Sequence, residues 1–284
     1  MARLFGLIGN RSDLASRVLA YEHQVLRVKA KGAPLGWGVG LYQGGEVLMR
    51  RRPLDEQDID VVRVSSDVRA DVIVGHVRSA TVGALRTENT HPFRYRQWLF
   101  AQTGTLPAFQ SIRDRLVESV PEFLRAGIRG ETDAEVFFHI FLSFLHDRGL
   151  LGEAHVEPKL VGEALRASIA VVDATVAEVA AEKTGINVLV SNGEEIVALG
   201  GGEKMAVRSF SGKSDAELII GDDASLRRKT PELAQMRFSL VASDFDEDSP
   251  LSARNPTDHL RWKEVPRGSL VILTRGDEPI VLAP

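Results

Sequence analysis

The chain has 284 residues, of which 44% are hydrophobic, and a formal net charge of −4. This length can bury a full hydrophobic core, and the small negative charge excludes the basic surface of a nucleic-acid-binding or anionic-membrane-binding protein. No apolar run approaches the roughly 20 residues that span a bilayer, and we find no signal peptide, so we expect a cytoplasmic protein. The sequence has no cysteine, which excludes disulfides, thiolate metal sites and a thiol nucleophile in this chain.

The first part of the chain is predicted to consist mainly of strands. Residues 3–8 form an apolar run typical of a buried strand. Ser12 is expected to cap a helix that ends at residues 31–34. A hairpin at 36–42 and 45–49 and strands at 72–77 and 98–102 follow, and residues 78–93 are predicted to form an ordered loop.

The middle of the chain is predicted to be helical. One helix runs from 111 to about 125, where Pro121 is expected to break it. A second helix begins after Thr132, which stands at capping-box spacing from Glu135. A third helix is predicted from about 159 to 182.

The last third is predicted to return to strands. Segments 186–190 and 195–199 flank Asn192-Gly193, a strong hairpin signal. The other predicted strands are at 218–220, 238–242, 269–273 and 280–282. Strands followed by helices and then strands indicate an α+β fold of helical layers on mainly antiparallel sheets. No linker or repeat interrupts residues 1–284, so we expect a single domain.

Three separated segments together carry a family resemblance. They are MARLFG at 1–6, GHVRSATVG at 75–83 with ENTHPF at 88–93, and WLFAQTGTL at 98–106 with GETDAE at 130–135. In this order they resemble a class II glutamine amidotransferase domain of the N-terminal-nucleophile hydrolase superfamily, of the small stand-alone bacterial type. VAS at 241–243 and WKEVPRGSL at 262–270 extend the resemblance over most of the chain.

The resemblance implies a four-layer αββα fold and a known chemistry. In active members, removal of the initiator methionine exposes a cysteine, whose thiolate attacks the side-chain amide of glutamine and releases ammonia and glutamate. The α-amine of that cysteine acts as the base, since a terminal amine titrates near about 7.7–8.0. An asparagine and a glycine amide stabilise the oxyanion. The resemblance implies neither a cofactor nor a metal.

Five positions match family residues that hold or enclose glutamine. Arg78 matches the arginine that pairs with the α-carboxylate, and its planar guanidinium suits a bidentate contact. Asp133 matches the aspartate that receives the α-ammonium group. Thr81, Thr90 and His91 match the loop that shapes the pocket.

The positions that perform the chemistry differ from the family pattern. Ala2 stands at the nucleophile position and has no group that can attack. Gly104 matches the oxyanion glycine, but Thr103 stands where the family has asparagine and Gln102 where it has histidine. Leu35 replaces an acidic residue. Because removing a nucleophile costs about 10⁶ in turnover and removing an oxyanion donor about 10²–10³, the change at position 2 alone is expected to abolish useful hydrolysis.

Several of these assignments have alternatives that the sequence leaves open. Ala2 represents either a natural loss or an engineered replacement of cysteine. Arg78 also fits an ordinary surface ion pair, Asp133 a first-turn acid favoured by the helix dipole, and His91 a structural hydrogen-bonding residue.

A replacement nucleophile at Thr103 or Ser79 has no Ser-His-Asp order to support it. The acidic residues at 244–248 lack the glycine and distal glutamate of a calcium loop, so we interpret them as a turn.

Two functional hypotheses follow. The preferred one is a non-catalytic homologue that binds glutamine or a related small amino acid, or that serves as a scaffold for a protein partner. The alternative is a glutamine amidotransferase or amidohydrolase that releases ammonia, seen here in an inactivated Cys-to-Ala form or acting through another nucleophile. Neither hypothesis involves nucleic acid or a membrane.

Overall fold

A computed structural model describes residues 2–28, 35–55, 69–79, 82–228, 230–245 and 261–284. The strands in these ranges are β1 (Arg3–Gly9), β2 (Leu35–Gln43), β3 (Glu46–Asp55), β4 (Val72–Arg78), β5 (Phe93–Tyr95), β6 (Trp98–Thr103), β7 (Asn187–Ser191), β8 (Ile196–Gly200), β9 (Met205–Ser211), β10 (Arg237–Ser243), β11 (Lys263–Val265), β12 (Leu270–Leu273) and β13 (Ile280–Leu282).

The strands form two antiparallel sheets. The first has seven strands in the order β11-β9-β10-β1-β4-β2-β3, and the second has six in the order β13-β12-β8-β7-β6-β5. Strand β1 lies in the middle of the first sheet, where Leu4 pairs with Ser243 of β10 on one side and with His76 of β4 on the other. The amino-terminal strand is therefore held by hydrogen bonds along both of its edges.

The helices are α1 (Ala15–Tyr21), α2 (His23–Leu26), α3 (Phe109–Ser119), α4 (Glu122–Arg125), α5 (Asp133–Asp147), α6 (Pro158–Val176), α7 (Gly212–Ile220), α8 (Ala224–Arg227) and α9 (Thr230–Leu233). Short 3₁₀ turns occupy Ser12–Leu14 and Thr87–Asn89. None of the helices in the described ranges is long and apolar enough to cross a membrane. The predicted cytoplasmic location and the single-domain assignment stay predictions.

The core has three layers of apolar side chains, which is what a four-layer αββα sandwich requires. Alternation along β1 sends Leu4 and Ile8 into the layer between the two sheets. Phe5 and Leu7 point to the opposite face, toward the side chains of α1 and α7. The outer face of the second sheet packs on α3 to α6, with the Phe100 ring stacked on that of Phe138 at 4.9 Å. The predicted α+β fold is confirmed.

The helical predictions in the middle of the chain hold with shifted ends. The first helix is divided into α3 and α4 at Pro121, as expected. Helix α5 begins after Thr132, whose hydroxyl accepts the Glu135 N–H at 3.2 Å. The Glu135 carboxylate instead accepts the N–H groups of Arg129 and Gly130, so only half of a capping box forms. Helix α6 ends at Val176, earlier than predicted.

The strand predicted at 218–220 is wrong, because these residues end helix α7. The Asp215 carboxylate accepts the Ser211 N–H at 2.8 Å at the start of this helix. Ala216, Ile219 and Ile220 then recur at helical spacing and are buried. The apolar run therefore covers a sheet instead of joining one.

Two further differences concern the first helix and three strands. Ser12 begins a 3₁₀ turn and makes no capping hydrogen bond, and the predicted helix is divided into α1 and α2. Its predicted end at 31–34 lies outside the described residues. The sequence reading also missed β5, β9 and β11, of which β5 and β11 have only three residues each.

Candidate functional site

One cavity of about 200 Å³ lies at the amino-terminal end of β1, between the two sheets and the start of α5. It is lined by Ala2, His76, Arg78, Ser79, Val82, His91, Gln102, Thr103, Gly104, Thr105, Thr132, Asp133 and Ala134. The structure thus brings together six of the eight residues singled out from the sequence: Ala2, Arg78, His91, Thr103, Gly104 and Asp133.

The other two residues do not line the cavity as described. Thr90 is fully buried, and its hydroxyl donates to the Arg86 carbonyl at 2.8 Å. Its carbonyl accepts from the Arg51 guanidinium at 3.2 Å, so the residue fixes the loop behind the cavity. Thr81 lies outside the described residues. The ligand-binding roles of Thr81 and Thr90 stay predictions.

The Arg78 side chain is buried at the end of β4 and already holds a loop. Its Nη2 donates to the carbonyls of Val82 at 2.5 Å and Gly83 at 3.0 Å, and its Nη1 donates to that of Ala84 at 3.1 Å. A guanidinium has five N–H groups. Each of its two bidentate edges combines one N–H of Nη2 with either the Nε–H or one N–H of Nη1. Three N–H groups are engaged here, so a bidentate contact with a carboxylate requires the 82–84 loop to release at least one carbonyl.

Asp133 opens helix α5, lines the same cavity and is 5% exposed. Its Oδ2 accepts the N–H of Leu106 at 2.8 Å. Burial raises the pKa of this carboxyl, and the Leu106 N–H and the Arg78 charge oppose the shift. Burial likewise lowers the pKa of the Arg78 guanidinium, while the Asp133 charge opposes it. Two opposite charges therefore face one small volume.

Thr103 and Gly104 stand at the end of β6, at the positions that the sequence resemblance matches to oxyanion donors. The Thr103 hydroxyl donates to Oδ2 of Asp244 at 2.5 Å, and Ser243 donates to the same oxygen. Because a hydroxyl has one hydrogen to donate, Thr103 has none left for an oxyanion in this arrangement. Gly104 has φ +88°, and an added Cβ would lie 2.6 Å from the Gly185 carbonyl oxygen.

Two histidines and one glutamine form a buried polar cluster behind Ala2. The His76 and His91 rings lie 4.2 Å apart. Burial lowers the pKa of His76 to about 3, with the Arg78 charge acting in the same direction and the Gln102 backbone opposing it. Burial and the His76, Arg78 and Arg51 charges also hold the pKa of His91 well below its usual value. Both rings are therefore neutral near pH 7.

The side-chain nitrogens and oxygen of this cluster have no hydrogen-bond partner of normal geometry within the described residues. Buried polar groups are normally paired, by protein, water or ligand. Each of these atoms is also shielded from solvent, so the cluster belongs to the wall of the cavity without presenting its polar atoms to the open volume. His76 and Asp244 were not selected from the sequence. A histidine in a buried strand gives a weak signal, and the sequence at 244–248 indicates only a turn.

Within the described residues, no group of three or more His, Cys, Asp or Glu side chains is close enough to hold a metal ion. The side chains present offer opposite charges, neutral imidazoles and amide groups. These are suited to binding a small zwitterion with polar substituents.

Two known proteins are similar in sequence to parts of this chain. The Saccharomyces cerevisiae protein named "Probable glutamine amidotransferase DUG3" is 31% identical over 86 residues, which cover 30% of this chain and 24% of that protein. Escherichia coli YafJ is 27% identical over 169 residues, which cover 57% of this chain and 59% of YafJ. The chain therefore matches less than two thirds of the length of either relative.

A solved structure from Silicibacter pomeroyi, described as a glutamine aminotransferase class-II domain protein, has the same fold. It superposes with a TM-score of 0.58 over 99% of this chain and 100% of that one, at 16% identity. The family model described as "Glutamine amidotransferases class-II" matches residues 1–283. With a match over nearly its whole length, this chain belongs to the class II glutamine amidotransferase family.

Proposed function

We propose that this protein binds glutamine or a closely related small amino acid in the cavity between Ala2, Arg78 and Asp133, and that it does not hydrolyse the ligand. The observation that carries the proposal is the composition of this cavity. Two buried groups of opposite charge face a volume of about 200 Å³ at the end of β1, and the residue at that end is alanine. The two charges support binding of a zwitterion. Alanine has no nucleophilic group, which supports loss of amide hydrolysis.

Thr103 supports the same conclusion independently. In an amidotransferase, a side-chain donor at this position would stabilise the oxyanion of the tetrahedral intermediate. Here the hydroxyl hydrogen is engaged by the Asp244 carboxylate at 2.5 Å. Both the attacking group and one of the two expected oxyanion donors are therefore missing, while the charged pair is kept.

The neutral His76 and His91 rings in the cavity wall support a ligand whose remaining polar group is also neutral. A carboxamide brings no further charge into this buried space, whereas a second carboxylate would have to be desolvated there.

Calorimetric titration with L-glutamine tests the binding step. We expect saturable heat in the unmodified protein and at least about tenfold weaker affinity in Asp133→Asn, since a buried charge-assisted contact is lost. Asp114→Asn is the matched control, because the Asp114 side chain is 90% exposed on α3. Absence of heat at millimolar glutamine would overturn the ligand proposal and leave a scaffold role for a protein partner.

An ammonia-release assay tests the catalytic step. We expect no glutaminase activity from the unmodified chain. The double variant Ala2→Cys with Thr103→Asn restores the two missing groups, and we expect it to release ammonia from glutamine if its terminal amine is exposed. Ammonia release by the unmodified protein would instead favour the alternative function, a working amidotransferase or amidohydrolase with another nucleophile.

A further inference from the structure

A second and larger cavity lies on the helical side of the six-stranded sheet. Its volume is about 490 Å³, within the range of small-molecule sites. One wall is a single face of α6, formed at helical spacing by Arg166, Ile169, Ala170 and Asp173. The facing wall comes from the segment just before β7, the end of β8 and the turn before β12.

The floor of this cavity is apolar and its rim is cationic. Ile186 and Leu199, which are 0% and 6% exposed, belong to the lining together with Ile169. Arg166, Lys183 and Arg267 also line it, against one acid, Asp173. Three cations and one acid leave two net positive charges beside an apolar floor, although the chain as a whole carries −4.

Asp173 makes a contact that stabilises the fold, and Arg166 and Arg267 each keep N–H groups that are not used in these contacts. Oδ1 of Asp173 accepts the N–H of Thr184 at 2.9 Å, which fixes the facing wall to α6. Arg166 donates to the Ala283 carbonyl at 3.2 Å and Arg267 to the Gly201 carbonyl at 2.9 Å. Each of these contacts uses one of the five N–H groups of a guanidinium.

From these features we propose that this cavity is a second ligand site, separate from the Ala2 cavity, for an organic anion that carries a carboxylate or phosphate on an apolar body. The apolar part lies on Ile169, Ile186 and Leu199. The anionic group meets the guanidinium groups of Arg166 and Arg267, whose planar forks match carboxylate and phosphate oxygens.

Calorimetric titration with three probes tests the chemistry of this site. The probes share one apolar body: 1-naphthoate, 1-naphthyl phosphate and the neutral 1-naphthol. We expect at least one of the two anions to bind at least about tenfold more tightly than 1-naphthol, and the stronger of the two identifies the preferred anionic group. Equal affinity for all three, or no binding of either anion, overturns the proposal.

A matched pair of variants on one helix tests the location. Ala170→Trp places an indole in the cavity from an exposed helix position, and we expect it to abolish binding of the anion. Ala174→Trp adds the same side chain at an exposed position of α6 outside the lining, and we expect no change. Unchanged binding in Ala170→Trp overturns the assignment. Glutamine titration of both variants keeps this result separate from that of the Ala2 cavity.

Discussion

Lowering the pH from 7 to 5 is expected to destabilise the protein by about 2 kcal/mol through His76 alone. Burial lowers the pKa of His76 to about 3 in the folded protein from its usual value of 6.5. As the pH falls through 6.5, the unfolded chain therefore binds a proton that the folded protein does not bind. The stability contributed by neutral His76 is complete above this range and is lost progressively toward pH 3.

The magnitude follows from the two pKa values. At pH 5 the unfolded imidazole is almost fully protonated and lies about 1.5 pH units below its pKa, and each unit corresponds to about 1.36 kcal/mol. His76 is only 3% exposed, so solvent screening does not reduce this value much. His91 contributes with the same sign, since burial also lowers its pKa.

The assay is urea unfolding at pH 7 and pH 5, followed by tryptophan fluorescence, in the unmodified protein and in His76→Gln. The comparison is the change in unfolding free energy with pH within each protein, so a constant effect of the substitution cancels. Buried carboxyl groups with raised pKa values, such as Asp133 and Glu195, have the opposite sign and are common to both. His146→Gln, at an exposed position of α5, is the control. An equal pH dependence in His76→Gln and the unmodified protein would refute the reasoning.

Three further substitutions test the packing around the site and the first sheet by chemical denaturation. Gly104→Ala is expected to cost about 1–3 kcal/mol more than Gly149→Ala, because both have positive φ but only Gly104 faces a backbone oxygen at 2.6 Å. Equal costs would contradict the close approach. Arg208→Leu is expected to cost about 3–5 kcal/mol, since it leaves the buried Glu22 carboxylate without the guanidinium at 2.8 Å. Adding Glu22→Gln should recover much of that loss, and no recovery would argue against the ion pair. Thr132→Ala, which removes the cap of α5, is expected to cost about 1 kcal/mol, and no measurable loss would show that the cap is dispensable.

The fold could be predicted where the sequence pattern is long or flanked by clear turn signals. β1, β4 and β6 consist mostly of apolar residues because both faces of each strand are buried. The three apolar residues at 218–220 are too few to distinguish a strand from the end of a helix. Their helical state depends on packing against a sheet formed by distant parts of the chain.

The sequence could predict which residues belong to the site, but not the hydrogen bonds that those residues make. Ala2, Arg78, Gly104 and Asp133 follow from the family resemblance, and the structure places them around one cavity. The engagement of Thr103 by Asp244 joins residues 141 positions apart, so no local pattern contains it.

The hydrogen bonds of the Arg78 guanidinium could not be predicted either. Its identity suggests a bidentate contact, but the geometry of the 82–84 loop decides how many of its donors are available.

The central place of β1 has a consequence for any attempt to re-engineer this protein. Ladder pairs on both edges fix the strand, with Leu4 opposite Ser243 and His76, and a slip of one residue would exchange the side chains of its two buried faces. A side chain introduced at position 2 would consequently start from a backbone that cannot slide to accommodate it. Gain or absence of activity in such a variant would then report on the reactivity of the new group and its neighbours, with little contribution from misplacement of the strand.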